Sequence, residues 1–289
     1  MHSHPNSDFS LKCELFAPDF GADSLEFLET ISISDVSRTR LVKCRIDSKY
    51  YALKSSKKYA LVSTNQTQHA LNEVQILSRL RCCFVPELYS VFQDENTLFL
   101  LLEYVPGGEL FSHLRRRGVF DFAMYQFYAT EIACALKYLH NLNILYRGLK
   151  PENIAITRSG HIRLIDFSYS KIIEERKTFT LCGTPEYCAP EILLGTGYGK
   201  SSDWWAFGVL IYEMSCGYSC FMGDSPFFIY KKIAAAKVDF PRSLPRSTRN
   251  IIRGLLIKDR RFRLGKCHEN ILHFSAILGC FEGWISFFT

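Results

Sequence analysis

The sequence predicts an α+β protein in which a small β-rich lobe precedes a larger helical one. Three observations carry this reading. Between residues 25 and 102, apolar residues come in short alternating or continuous runs, the pattern of strands. At Val105-Pro106-Gly107-Gly108 the pattern stops, because proline and paired glycines interrupt both helix and strand. Beyond that point Tyr125, Tyr128, Ile132, Leu136 and Leu139 recur every three or four residues, which lays an apolar face along a helix.

The elements follow in order. Residues 1–24 are polar and mixed and read as a loosely ordered extension. Strands are expected over 25–33, 40–44, 50–55, 87–92 and 97–102. One helix, 66–80, is expected among them, since Leu71, Val74, Leu77 and Leu80 share a face. The break at 105–108 reads as a hinge. The stripe from Tyr125 to Leu139 is expected to be core rather than a cofactor site. In the tail, 266–289, Phe281, Trp284, Phe287 and Phe288 are expected to pack in a core or an interface.

Composition narrows the function classes. The chain has 289 residues, 47% hydrophobic and 22% charged, ordinary values for a soluble globular protein of one large domain or two lobes. No run approaches the roughly 18 apolar residues that span a bilayer. Met1-His2-Ser3 offers neither a signal core nor the glycine that myristoylation needs. A net charge of +6 is a modest surplus, expected on solvated surface, so neither nucleic acid nor a membrane is an expected partner. The eleven cysteines include no CxxC pair, which argues against a zinc site and for reduced thiols in the cytoplasm or nucleus.

The residues able to do chemistry fall in a fixed order. Tyr51-Ala52-Leu53-Lys54 ends a strand on a lysine suited to nucleotide phosphates, and Glu73 on the next helix is its candidate partner. Asn153 and Asp166 supply an amide and a carboxylate, hard oxygen donors of the kind magnesium takes. Ala189-Pro190-Glu191 follows, with Arg263 as the candidate partner of Glu191. The most specific stretches are Leu145-Tyr146-Arg147-Gly148-Leu149-Lys150-Pro151-Glu152-Asn153, Glu103-Tyr104-Val105-Pro106-Gly107-Gly108-Glu109, Thr180-Leu181-Cys182-Gly183-Thr184-Pro185-Glu186-Tyr187 and Asp203-Trp204-Trp205-Ala206. On these residues the chain, from about residue 25 to Gly265, resembles the AGC group of serine/threonine kinases, and within it the catalytic subunits of cAMP-dependent protein kinase.

That resemblance implies the bilobal protein-kinase fold. The N-lobe, 25–104, would hold a five-stranded antiparallel sheet plus one helix (αC), and the hinge and helical C-lobe would span 105–265. It implies ATP and magnesium as cofactors and phosphoryl transfer to serine or threonine. It assigns ATP to Ser32, Ser34, Ser37, Thr39, Ala52, Lys54, Glu73, Glu103, Val105, Glu109 and Ala155, and magnesium to Asn153 and Asp166. Lys150 and Asn153 become catalytic-loop residues, and Thr180 an activation-loop phosphosite held by Arg147 and Lys171. Glu109, Glu152 and Glu213 match acids that recognise arginines upstream of the phosphoacceptor. Leu77, Leu88, Tyr146 and Phe167 match the family's internal spine. The implied partners are a protein substrate or a cAMP-binding regulatory subunit, with the chain a monomer or part of such a heteromer; Phe179 stands where the family docks that subunit through a tryptophan.

The departures concentrate on the nucleotide and the reaction. Gly148 occupies the position of the aspartate that accepts the substrate proton. Ser32, Ser34 and Ser37 occupy the three glycine positions of the phosphate loop, with Asp35 at its tip. Where such a loop needs positive φ, a side chain costs about 1–2 kcal/mol, so an ordinary β-turn is expected there, at the expense of tight phosphate clamping. Thr39 and Ala155 replace a valine and a leucine of the adenine site, Ser168 replaces the glycine after Asp166-Phe167, and residues 266–289 do not match the long AGC tail. The expectation is therefore a catalytically impaired pseudokinase that binds ATP weakly, protein partners, or both. Two alternatives remain open: a slow but genuine kinase for substrates with basic motifs, and a degenerate paralogue without function.

Overall fold

The computed structural model describes residues 22–173, 177–180 and 182–265. Most of the expected N-terminal extension, and the tail at 266–289 with Phe281, Trp284, Phe287 and Phe288, lie outside the described residues. Two compact units divide the chain: residues up to Ala70 with Glu87–Tyr104, and Leu71–Pro86 with Val105 onward.

The first unit is built on β1 (Leu25–Ile33), β2 (Ser37–Cys44) and β3 (Tyr50–Lys57), continues through α1 (Lys58–Ser63) to the first turn of α2 (Thr67–Arg79), whose remainder from Leu71 belongs to the second unit, and closes with β4 (Leu88–Gln93) and β5 (Thr97–Glu103). The five strands pair antiparallel in the order β1-β2-β3-β5-β4. Alternation fixes which residues face the core. Tyr51 and Leu53 of β3 join Leu25, Val42, Cys44 and Leu101 in one buried cluster, while Ala52 and Lys54 take the other face. Helix α1 is not among the expected elements. It follows β3 directly, and Lys57 before it makes no capping bond, so none of the usual start signals is present.

In the second unit the hinge residues precede α3 (Leu110–Arg117) and α4 (Phe122–Asn141). The glycine at 107 is sterically required, because a Cβ there would lie 2.3 Å from the carbonyl oxygen of Ile156. Helix α4 starts on Asp121, whose Oδ1 accepts from the Met124 amide at 3.0 Å. Its Tyr125, Ile132, Leu136 and Leu139 are buried, as their spacing predicts. Short strands β6 (Ile144–Leu145), β7 (Ile154–Ile156), β8 (Ile162–Leu164) and β9 (Lys171–Ile172) pair as β6-β9 and β7-β8 and pin the loops between them. The remaining helices are α5 (Pro190–Leu193), α6 (Ser201–Cys216), α7 (Pro226–Ala235) and α8 (Arg246–Leu255). Helix α6 is buried on every side from Ser202 to Met214, which makes it the axis of this unit.

Glu191 and Arg263 form the expected pair. Two parallel hydrogen bonds of 2.6 and 2.8 Å join them, with the guanidinium fully buried.

Candidate functional site

The loop from Leu145 to Asn153 is held from beneath by Asp203, near the start of α6. One oxygen of Asp203 accepts from the Arg147 amide at 2.9 Å; the other accepts from the Tyr146 amide at 3.0 Å and lies 2.8 Å from His140 Nε2. Asp203 is 1% exposed, so each of those bonds is made in a dry interior where losing it is costly. Tyr146 stacks edge-on against Phe167 at 5.2 Å, both rings buried, and Leu77 is buried in the same unit. At the far end of the loop the Asn153 side-chain amide donates to the Gly148 carbonyl at 2.7 Å, and its own carbonyl receives the Ile165 amide. Asp166 follows with φ of 53°, a turn that its own Oδ1 supports by accepting from the Ser168 amide at 3.2 Å.

Gly148 therefore sits in a loop whose conformation its neighbours specify. Its φ is not positive, and a Cβ built on it would meet Asn153 Nδ2 at 3.3 Å, Asp166 O at 3.5 Å and the Tyr146 ring at 3.6 Å. A side chain fits with a small adjustment. Beside it is a cavity of about 290 Å³ lined by Gly148, Lys150, Asn153, Asp166, Thr184 and Asp203, among others.

With Thr180 unphosphorylated, Arg147 and Lys171 bond to other oxygens of the segment. Lys171 donates to the Thr178 hydroxyl at 3.2 Å, and Thr178 is buried. Arg147 donates to the Tyr169 carbonyl at 2.5 Å and to the Tyr198 hydroxyl at 3.1 Å. Tyr198 in turn donates to the Thr180 carbonyl at 2.6 Å. Thr180 is exposed, and Arg147 reaches it only through Tyr198.

The three acids are also placed unequally. Glu109 precedes α3 and bridges to Ala155 on β7. Burial, then the nearby Glu152 charge, holds the Glu109 carboxyl above the usual carboxylate range. Glu152 Oε2 is buried with no hydrogen-bond partner among the described residues. Glu213 is buried on α6, accepts a bond from the Tyr187 hydroxyl, and lies 3.7 Å from the exposed Arg115 guanidinium. Burial raises its pKa despite those two partners.

The phosphate-loop position is a β-hairpin tip. Ser32 pairs with Thr39, and Ile33 with Arg38. Between them the Ser34 amide donates to the Ser37 carbonyl at 2.8 Å, the Ser37 amide donates to Ser34 Oγ at 3.1 Å, and the two hydroxyls lie 2.8 Å apart. None of Ser32, Ser34 and Ser37 has positive φ, in keeping with the expected ordinary turn. The tip is a serine-closed turn rather than a glycine nest, and two of its amides are consumed internally. Thr39 stands opposite Lys54, and Leu41 opposite Ala52. Glu103 closes the edge of this unit, its amide donating to the Glu87 carbonyl at 2.9 Å. Glu73 is buried on α2, and Val105 opens the second unit.

The protein-kinase-domain family matches residues 27–274, and the chain belongs to it. Within that family it is a cAMP-dependent-protein-kinase-like domain of the serine/threonine type. It is 45% identical over 248 residues to the human cAMP-dependent protein kinase catalytic subunit PRKX, covering 86% of this chain and 69% of that one. The mouse counterpart is 46% identical over 238 residues, 82% and 67% of the two chains. The Dictyostelium discoideum cAMP-dependent protein kinase catalytic subunit is 45% identical over 245 residues, covering 85% of this chain but 38% of that protein. Among the described residues no helix is long and apolar enough to cross a membrane.

Proposed function

We propose that this chain is a kinase-shaped binding protein with impaired phosphoryl transfer, engaging basic peptide segments and Mg-ATP without an efficient proton acceptor. One observation carries the reading: no side chain at 148 offers a base, and neither carboxylate in the cavity replaces it. Asp203 is committed to two backbone amides and His140, and Asp166 belongs to the magnesium assignment. Losing a general base lowers a rate by about 10²–10⁴-fold.

The residues present fit a magnesium ion. Asn153 spends its amide nitrogen on Gly148 O, which leaves its Oδ1 for a cation beside the Asp166 carboxylate. Bound there, the metal would neutralise charge on the ATP phosphates. Lys150 would add a cation from the loop. Peptide recognition falls to Glu109, Glu152 and Glu213, where buried or half-buried carboxylates gain from a guanidinium partner. A substrate or a pseudosubstrate segment of a cAMP-binding regulatory subunit fits that chemistry.

The ordered loop also supports a second reading, a slow genuine kinase, since Asn153, Asp166 and Lys150 need no rearrangement to line one cavity. A thermal shift with Mg-ATP, run beside phosphorylation of an arginine-containing peptide, separates the two. Weak binding with negligible transfer is the expected result. Robust transfer that vanishes in Asp166→Ala would sink the impaired reading.

A further inference from the structure

A glycine at a position framed for a side chain leaves both room and unsatisfied donors. The room is the cavity of about 290 Å³ beside Gly148. A formate ion occupies on the order of two water volumes, roughly 60 Å³, so space does not exclude it. Three donors line the same cavity. The Lys150 ammonium makes no hydrogen bond or ion pair among the described residues, and the Thr184 hydroxyl makes no side-chain hydrogen bond. The Asn153 amide uses one N–H on Gly148 O, and its nitrogen lies 3.3 Å from where a Cβ on residue 148 would be. A cation, a hydroxyl and an amide N–H around one void are a donor set for a carboxylate.

Charge sets the strength. Arg147 and Lys150 favour an anion, and Asp166 on the cavity wall opposes one; Asp203 is already compensated by three donors. Three heavy atoms under that balance allow binding on the order of 10 mM or weaker.

We propose that the void at Gly148 is a binding site for a small carboxylate, formate or acetate in class, which supplies the missing proton acceptor in trans. The inference rests on reading position 148 as the place of the proton acceptor. As the peptide hydroxyl oxygen forms its bond to the γ-phosphorus of ATP, its proton passes to the bound carboxylate, and the bond from that phosphorus to the ADP oxygen breaks. The resulting carboxylic acid then returns its proton to water. The same carboxylate chemistry could arrive on the substrate itself, as an acidic residue beside the acceptor serine.

The test has a binding arm and a rate arm. In the first, ¹³C-formate is titrated against the whole protein without nucleotide, and NMR line broadening is followed. Broadening is expected in the native protein, competed by acetate but not by chloride, and lost in Gly148→Asp. Thr184→Val, which keeps the glycine, is expected to weaken it several-fold at unchanged melting temperature. In the second arm, phosphorylation of a neutral-flank arginine peptide is expected to rise at least about tenfold in formate over equal chloride, with no rise in Gly148→Asp. A peptide with aspartate beside the serine, assayed without formate, tests the substrate as the source.

Equal broadening in native and Gly148→Asp proteins overturns the site, as does unchanged broadening in Thr184→Val should Gly148→Asp fail to fold. The two readings fail separately. Activity gained in Gly148→Asp, with no formate binding or stimulation, removes the site and leaves position 148 as the proton acceptor's place. Formate binding without stimulation, in a protein that Gly148→Asp also leaves inactive, keeps the site and removes the proton-transfer role.

Discussion

The β1–β2 hairpin and the loop around Gly148 both depart from the pattern that the kinase resemblance led one to expect, yet the departures differ in kind. At the hairpin the replacements bond to one another: Ser34 and Ser37 close the turn through a backbone bond, an amide-to-hydroxyl bond and a hydroxyl pair. At the loop nothing fills the place. Asp203, Asn153 and Tyr146 keep the backbone of Gly148 in position, and a cavity remains. One region has been rebuilt into a stable alternative, while the other has been emptied with its frame intact. A single residue should therefore repair the second and not the first.

The largest expected effect follows directly. Gly148→Asp places a carboxylate on a backbone that accepts a Cβ with a shift of a few tenths of an ångström. Peptide phosphorylation should rise by about 10²–10⁴-fold, read from initial rates at saturating Mg-ATP. No gain, in a variant with unchanged melting temperature, would mean that the frame is not intact and the contrast with the hairpin is false.

The frame itself can be broken. Asp203→Ala strips the Tyr146 and Arg147 amides of their buried acceptor and removes the partner of His140. Stability should drop by roughly 2–5 kcal/mol, measured by chemical denaturation, because those groups then lie buried and unpaired. In a Gly148→Asp background the same change should also erase the gained activity.

Reopening the hairpin should do less. Ser34→Gly with Ser37→Gly frees the Ser37 amide from the Ser34 hydroxyl and restores backbone freedom, at a stability cost of about 0.5–1 kcal/mol per glycine. Mg-ATP affinity, followed by calorimetry, should improve by no more than about tenfold, since that change supplies roughly one hydrogen bond's worth of free energy. An improvement of several hundredfold would show that the serine turn alone limits nucleotide binding.

Much of this was legible before the structure. Alternation placed all five strands and the helical stripe of α4, and the break at 105–108 followed from proline and paired glycines, one of which a Cβ would drive into Ile156. The Glu191–Arg263 pair could also be anticipated from charge and family spacing. What sequence could not supply was geometry that depends on bonding partners. Serines at glycine positions implied an ordinary turn without positive φ, but which hydroxyls and amides close it depends on the folded hairpin, where Ser34 and Ser37 bond to each other. Lys171 and Arg147 were assigned to Thr180, yet which oxygen a cation chooses depends on local reach, and Thr178, Tyr169 and Tyr198 lie within it. Thr184 and Asp203 were visible only as members of motifs. Their roles emerge once the loop is folded over α6.

The smallest effect is a pH dependence at the peptide-binding acids. Burial holds the carboxyls of Glu109 and Glu213 above the ordinary Glu value in the free protein. A peptide guanidinium stabilises the charged form, so in the complex those values fall. Protons are then taken up on release of peptide, and binding weakens as pH drops through the raised values of the free protein. The weakening continues until the complex itself protonates, at about tenfold per pH unit for each carboxyl involved. Above the raised values, binding should be flat. Fluorescence anisotropy of an arginine peptide from about pH 8 to pH 5 would trace this, with the midpoint above that of an ordinary glutamate. Glu213→Gln should remove its share of the slope while preserving an acceptor for the Tyr187 hydroxyl. Gly148→Asp should leave the slope unchanged, because peptide docking and the emptied loop are separate features of the same helical unit. A slope that moved with residue 148 would tie the two together and undo the picture of a loss confined to one cavity.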